Sequence, residues 1–315
     1  MTTSLAGRDI ISLSRLGNGQ IKKIFDLARD FRRMFDRCHA LPPLMAEKVL
    51  ALIFDQPSTR TYGSTGIAMV RLGGLLAPPF IAASVASSLA KGETFEDMGS
   101  SLSEMTVDVI AMRHKKVGSA QRLANGASIP VINCGDGTGK HPTQALLDVF
   151  TASRSIGILD SCTVTLLGDL KNGRTVHENG PLFGRFGVQR FFLVSPPLLA
   201  MPKRIVTQME RHGTTIIQTQ DLEAALKESD LVYATRIQRE YFESEEEYDA
   251  VRGSYVVDAA LLQRTNPNVK VMHPLPRVDE LATDIDKLPN ALYWEQMRNG
   301  VFVRAAILAL ITGAI

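Results

Sequence analysis

The chain has 315 residues, 45% of them hydrophobic, and its 35 basic side chains nearly balance 33 acidic ones for a net charge of +2. That length holds one large domain or two ordinary ones with real cores, and the near-neutral balance speaks against nucleic acid or an anionic membrane as partner. Cys38, Cys134 and Cys162 lie far apart with no C-x-x-C pair, which argues against a disulfide framework or a structural zinc site and fits a reducing, cytoplasmic setting.

The opening Met1-Thr2-Thr3-Ser4, followed by Gly7, Arg8 and Asp9, lacks the apolar core of a secretory leader. Residues 20–34 carry Ile21, Ile24, Phe25, Leu27, Ala28 and Phe31 at helical spacing, which predicts an amphipathic helix. The apolar run 49–54, ended by Asp55, Gln56 and Pro57, has the pattern of a strand buried on both faces. A helix follows through Ile67, Ala68, Val70 and Leu72 and stops at Gly73-Gly74. Residues 107–112 and 130–133 read as further strands, and 143–151 as a helix opened by Pro142. The second half repeats this alternation, with strands expected at 163–167, 191–194, 231–233 and 269–272. The late apolar stretch 301–311 is interrupted by Arg304 and is too short to span a bilayer. Strands alternating with helices predict an α/β protein with parallel sheets covered on both faces. Two such series suggest two domains, joined near residues 148–160. Ligands of such sheets bind beyond the carboxyl ends of the strands, and the polar clusters of this chain fall there.

The first cluster is Ser58-Thr59-Arg60-Thr61, placed where a helix begins. Unpaired N–H groups, hydroxyls and a guanidinium there would cage a phosphate, although Ser58 or Thr59 would equally serve as an ordinary N-cap. The second, Ser87 through Glu93, pushes Lys91 out on a loop bent at Gly92, a setting that also suits a plain solvated lysine. Arg113-His114 follows the strand at 107–112; the guanidinium suits an anion or a surface acid. His141-Pro142-Thr143-Gln144 follows the glycine-rich Gly135-Asp136-Gly137-Thr138-Gly139. A neutral His141 at a helix start could donate a hydrogen bond to a carbonyl oxygen, or serve as a cap or core filler.

The fifth cluster runs from Gly168 to Thr175 and matches the P-loop pattern G-x-x-x-x-G-K-[ST] except for Arg174 in the lysine place. A P-loop nucleotide hydrolase is therefore an alternative. Against it stand the planar fork of Arg174, a carboxylate at Asp169 inside a loop meant for phosphate, and the lack of a strand ending in a suitable Mg²⁺-binding Asp. The sixth cluster is split between Thr235-Arg236-Ile237-Gln238 and the proline-bracketed His273-Pro274-Leu275-Pro276-Arg277. Arg60, Arg113, Arg174 and Arg236 thus all lie just beyond strands of a protein with almost no net charge. Such a set predicts a substrate pair carrying several negative charges.

In order and spacing these motifs resemble those of the aspartate carbamoyltransferase family, the catalytic chains of the second step of pyrimidine synthesis. Ser-Thr-Arg-Thr, Lys-Gly-Glu, Met-Arg-His, His-Pro-Thr-Gln-Ala-Leu-Leu-Asp, Gly-Asp-Leu-Lys-x-Gly-Arg-Thr-Val-His, Thr-Arg-Ile-Gln and His-Pro-Leu-Pro-Arg all occur in family order, from about Val49 to the end. The resemblance implies a carbamoyl-phosphate domain over 1–147 with the final helix at 296–315 packing back on it, and an aspartate domain over 148–295. It implies that Ser58, Thr59, Arg60 and Thr61 hold the phosphate, that Thr61, Arg113 and His141 contact the carbonyl oxygen, and that Gln144 contacts the amino group. Arg174 would take the α-carboxylate of L-aspartate, Arg236 with Gln238 the β-carboxylate, and the Leu275 and Pro276 backbone the amine side. Ser87 and Lys91 would enter a neighbouring subunit's site, because the family forms homotrimers. No cofactor and no metal are expected, and a regulatory chain is left open.

The chain departs from the family at Tyr62, Lys115, Glu178-Asn179-Gly180-Pro181 and Tyr241. Gly180 and Pro181 should weaken or kink the helix they lie in. The nearest rival function is carbamoyl transfer to another amine such as ornithine, against which Arg236 and Gln238 stand. A non-catalytic relative would be expected to have lost one of Arg60, Arg113, His141 or Arg236.

Overall fold

The computed structural model describes residues 4–78 and 91–315. The chain divides into two compact units, one formed by Met1–Leu147 with Met297–Ile315 and the other by Asp148–Gln296. Each is a parallel sheet flanked by helices.

In the first unit, α1 (Asn18–Cys38) and β1 (Val49–Phe54) are followed by α2 (Thr59–Arg71), the two-residue strand β2 (Leu75–Leu76), α3 (Phe95–Glu104), β3 (Val109–His114), α4 (Ser119–Gly126), β4 (Val131–Asp136) and α5 (Pro142–Ile156). The sheet order is β2-β1-β3-β4, all parallel, with Leu50 opposite Val109 and Phe54 opposite Arg113. Strands β1, β3 and β4 are almost wholly buried, which is why each reads as an unbroken apolar run. Chain order reverses between β1 and β3, and that switch point is where the Ser58–Thr61 and Arg113 segments emerge.

The second unit holds β5 (Thr163–Leu167), α6 (Arg174–Arg185), β6 (Arg190–Val194), α7 (Lys203–Glu210), β7 (Thr215–Thr219), α8 (Leu222–Lys227), β8 (Leu231–Ala234), α9 (Glu245–Asp249), α10 (Ala259–Thr265) and β9 (Lys270–Met272). Its order is β7-β6-β5-β8-β9, again parallel. The switch point lies between β5 and β8, the two strands that deliver the 168–175 and 235–238 segments. Both polar sets therefore sit where a doubly wound sheet opens a crevice at its carboxyl edge.

The last helix, α11 (Tyr293–Ile311), starts in the second unit and continues into the first. Buried Arg32 donates to Asn299 Oδ1 at 2.7 Å, Arg304 donates to Thr143 Oγ1 at 3.3 Å, and the Gly7 N–H donates to the Ile311 carbonyl at 2.7 Å. Residues 305–311 are buried on every side, which is why their hydropathy lacks a helical stripe. No described helix is long and apolar enough to cross a membrane.

Gly180 and Pro181 do not end the helix: α6 continues from Arg174 to Arg185 through both residues. Pro181 removes one backbone donor and Gly180 lowers helix propensity, yet close packing offsets the cost. A Cβ on Gly180 would lie 2.8 Å from Met209 Sδ, and one on Gly184 would lie 3.1 Å from Thr214 Oγ1. These two glycines, four apart on one face, let α6 press against α7 and the turn after it.

Candidate active site

In the first unit, Ser58 closes the N-terminus of α2: its backbone is extended and the Thr61 N–H donates to its Oγ at 3.4 Å. The capping and ligand readings thus fall on one residue, and the helix start it creates carries the partial positive charge a phosphate needs. Arg60 is half-buried in the first turn with no acidic partner among the described residues, and burial lowers its pKa below the usual arginine value. Thr61 is buried, its carbonyl accepting from Thr65 Oγ1 at 2.7 Å. Its hydroxyl lies 3.4 Å from His141 Nε2, and the other ring nitrogen of His141 lies 3.4 Å from Thr143 Oγ1.

Arg113 is held at the end of β3 by donating Nη1 to the Cys134 carbonyl of β4 at 3.1 Å. Gln144, half-buried in the first turn of α5, donates its backbone N–H to the His141 carbonyl at 2.9 Å. The structure therefore brings Thr61 and His141 together directly, while Arg113 comes from the strand paired with β1.

Behind these groups, His114 accepts the Lys116 N–H on Nδ1 at 3.0 Å and faces Asp55 with Nε2 at 3.4 Å. Its pKa is lowered by burial against the opposing pull of Asp55, so near neutral pH the proton sits on Nε2 alone. Gly137 has φ +56 and a Cβ there would meet the Lys115 carbonyl at 2.3 Å. The departure at Lys115 thus contributes backbone to the loop before His141. Tyr62 is partly exposed and packs edge-on to Phe54, with ring centroids 5.3 Å apart. Lys91 is exposed, and no hydrogen bond or ion pair joins it to this cluster among the described residues. Ser87 lies outside the described residues.

In the second unit, Gly168 has φ +106, and a Cβ on it would come within 2.2 Å of the Thr235 carbonyl. Only glycine lets the loop after β5 lie against the loop after β8. Asp169 is fully buried and accepts the Asn172 N–H at 2.9 Å and the Asn172 amide at 3.2 Å. Burial raises its pKa, with the Asn172 bonds opposing. This carboxylate shapes the turn that presents Arg174, the first residue of α6, which is half-buried. His177 Nε2 donates to the Leu170 carbonyl at 2.9 Å, and burial lowers its pKa.

Arg236 donates Nη2 to Glu240 Oε1 at 2.9 Å and reaches Gln238 Oε1 at 3.5 Å. Arg236 and Gln238 are therefore neighbours, with Glu240 as a third member the sequence did not single out. Tyr241, just beyond, is partly exposed. In the last segment the Leu275 N–H donates to His273 Nδ1 at 2.8 Å, while His273 Nε2 lies 2.8 Å from Glu280 Oε1. Burial acts to raise the Glu280 pKa, but the His273 hydrogen bond and charge outweigh it and hold the group below its usual value. The Leu275–Pro276 bond is cis and Leu275 has φ +51. Leu275 is half-buried and Pro276 is exposed. Among the described residues no group of three His, Cys, Asp or Glu could hold a metal ion.

Two family models match the chain. Residues 8–154 match the aspartate/ornithine carbamoyltransferase carbamoyl-P binding domain, and residues 160–311 match the aspartate/ornithine carbamoyltransferase Asp/Orn binding domain. An aspartate carbamoyltransferase catalytic subunit from Thermococcus gammatolerans is 44% identical over 309 residues, 98% of this chain and 99% of that one. The multifunctional protein pyr1-3 of Dictyostelium discoideum is 40% identical over 311 residues, which are 99% of this chain but 14% of that much longer protein. The crystal structure of aspartate transcarbamoylase from Trypanosoma cruzi in complex with carbamoyl phosphate and aspartate superposes with a TM-score of 0.90 at 35% identity, covering 98% of this chain and 97% of the other.

Proposed function

The chain belongs to the aspartate/ornithine carbamoyltransferase family, and from that membership we propose the reaction and the role of each group. The protein transfers the carbamoyl group of carbamoyl phosphate to the amine of L-aspartate, giving N-carbamoyl-L-aspartate and phosphate in pyrimidine synthesis. The carrying observation is that guanidiniums emerge at the switch points of both sheets of an almost neutral protein: Arg60 and Arg113 in one, Arg174 and Arg236 in the other.

Ser58, Thr59, Arg60 and Thr61 hold the donor phosphate through hydroxyls, a guanidinium and the α2 N-terminus. Thr61, Arg113 and His141 donate to the carbonyl oxygen, and Gln144 accepts from the amino group. Arg174 takes the α-carboxylate of the acceptor and Arg236 with Gln238 the β-carboxylate, a pairing that suits a dicarboxylate and repels a cation. The acceptor's neutral amine attacks the carbonyl carbon, the new C–N bond forms, and the bond from that carbon to the bridging oxygen breaks, its electron pair leaving on phosphate. The amine proton passes to the departing phosphate. Donors already aimed at the carbonyl oxygen stabilise the charge that develops on it, and fixing two anions in attack geometry contributes much of the remaining rate. The carbonyls of Leu275 and Pro276 face the amine.

A homotrimer with shared sites, in which Ser87 and Lys91 serve the neighbouring subunit, fits the exposed apolar strip formed by Ile67, Val70, Leu75 and Leu76 on α2 and β2. Three free thiols suit a cytoplasmic setting. Phosphate release from carbamoyl phosphate tests the reading: it should require L-aspartate. Release with L-ornithine, or with no acceptor, overturns it. Sharing of sites is tested by mixing inactive Lys91→Ala with inactive Arg60→Ala subunits, which should regain activity.

A further inference from the structure

Asp148 lies in the middle of α5 and is fully buried. Its Oδ2 accepts the Asn179 side-chain amide at 2.8 Å and the Tyr233 hydroxyl at 2.7 Å, and its Oδ1 accepts the Gln296 amide at 2.8 Å. Each partner roots a different segment of the acceptor half. Asn179 is on α6, the helix that begins with Arg174. Tyr233 is on β8, two residues before Thr235-Arg236-Ile237-Gln238. Gln296 accepts the His273 N–H on its Oε1 at 2.9 Å, and His273 in turn receives the Leu275 N–H at 2.8 Å. One carboxylate therefore reaches, in one or two hydrogen bonds, all three segments to which the acceptor contacts are assigned. The same helix carries Gln144 one turn earlier, next to His141.

We propose that Asp148 is the positioning residue of the acceptor half-site, setting Arg174, Arg236 and the 273–276 turn in register with one another from behind. It touches neither substrate. The inference rests on the carbamoyltransferase reading and adds a residue through which dicarboxylate recognition is built. Three donors aimed at one buried carboxylate form a network in which partial satisfaction is costly. Replacing it with an amide presents N–H to a donor and should displace at least one arm.

The test compares Asp148→Asn and Gln296→Met with Thr165→Val. Thr165 is equally buried and shares a 2.7 Å hydrogen bond with Ser229 in the same sheet, but lies outside the network. Asp148→Asn should raise KM for L-aspartate on the order of tenfold, the size of one charge-assisted hydrogen bond, while KM for carbamoyl phosphate stays within about twofold. Gln296→Met, which cuts only the arm to His273, should give a smaller rise of the same kind. Thr165→Val should lower the thermal midpoint without moving either KM. Equal rises in both KM values, no rise in Asp148→Asn, or a matching rise in Thr165→Val would overturn the proposal. Should Asp148→Asn not fold, Gln296→Met against Thr165→Val decides alone. Hydrogen exchange at the His273 and Leu275 amides, slow in the parent and faster in Gln296→Met, reads the same network without turnover. A parent enzyme that fails to carbamoylate aspartate would sink the functional reading, while unchanged exchange would sink the positioning one.

Discussion

The two halves of the proposed site are built on opposite plans. The donor half leaves its main charge bare: Arg60 is half-buried without an acid beside it among the described residues, and Thr61 and His141 touch at 3.4 Å. The acceptor half braces its groups with protein partners, Arg236 against Glu240, Asp169 against Asn172, and His273 against Glu280. A fixed helix start needs little else to orient a phosphate, because the backbone donors are already aligned. Arg236, reaching a flexible dicarboxylate from a loop, has no such frame and is held by a side chain. Where the backbone supplies the geometry, charge can stay unspent; where it does not, partner side chains do the positioning.

The sharpest way to break this contrast is Arg60→Ala. Removing the bare charge should cost roughly a thousandfold in turnover with an unchanged unfolding curve, since no acidic partner among the described residues is lost; activity near the parent's would erase the distinction. Next comes Gly168→Ala, which forces a Cβ against the Thr235 carbonyl at positive φ. It should destabilise the second unit by about 3 kcal/mol in urea unfolding and weaken aspartate binding more than carbamoyl phosphate binding.

Acid should act on both halves, because burial lowers the pKa of His114 in the first unit as well as that of His177 in the second. The folded His177 has a pKa below its unfolded value of 6.5, so its contribution is complete above that pH and is lost as pH falls through the folded value. Stability should therefore decline from about pH 6.5 downward, and His177→Gln should flatten that decline. Glu280 follows the same sign lower down, since its folded pKa lies beneath the reference 4.5: its share is intact above that value and disappears under stronger acid. Both groups sit in the braced unit. The smallest effect belongs to Glu240→Gln. Its exposed ion pair contributes at most about 1 kcal/mol to stability, so the midpoint should hardly move while KM for aspartate rises a few-fold as the Arg236 fork loses orientation.

Much of this was legible from the sequence. Strands buried on both faces announce themselves as apolar runs, so β1 and β5 are readable to the residue. Strand β2 is two residues long, and β7 is an edge strand reading Thr-Ile-Ile-Gln-Thr; neither offers a period to detect. The polar residues at strand ends were legible because anion chemistry demands particular side chains. Asp148, Glu280 and Glu240 were not, since a carboxylate's job depends on which donors the fold delivers to it. Gly168 could have been suspected as a glycine after a strand, but the neighbour it accommodates belongs to a segment 67 residues further on.

Helix α11 returns to the first unit only after the whole of 148–296 has intervened. On a translating ribosome the amino-terminal unit must therefore wait on the order of ten seconds for its closing piece, with the surface around Arg32 and Thr143 uncovered meanwhile. The segment 148–296 is contiguous and can mature during that pause. Nascent chains stalled before residue 297 should be the form that engages chaperones and proteases.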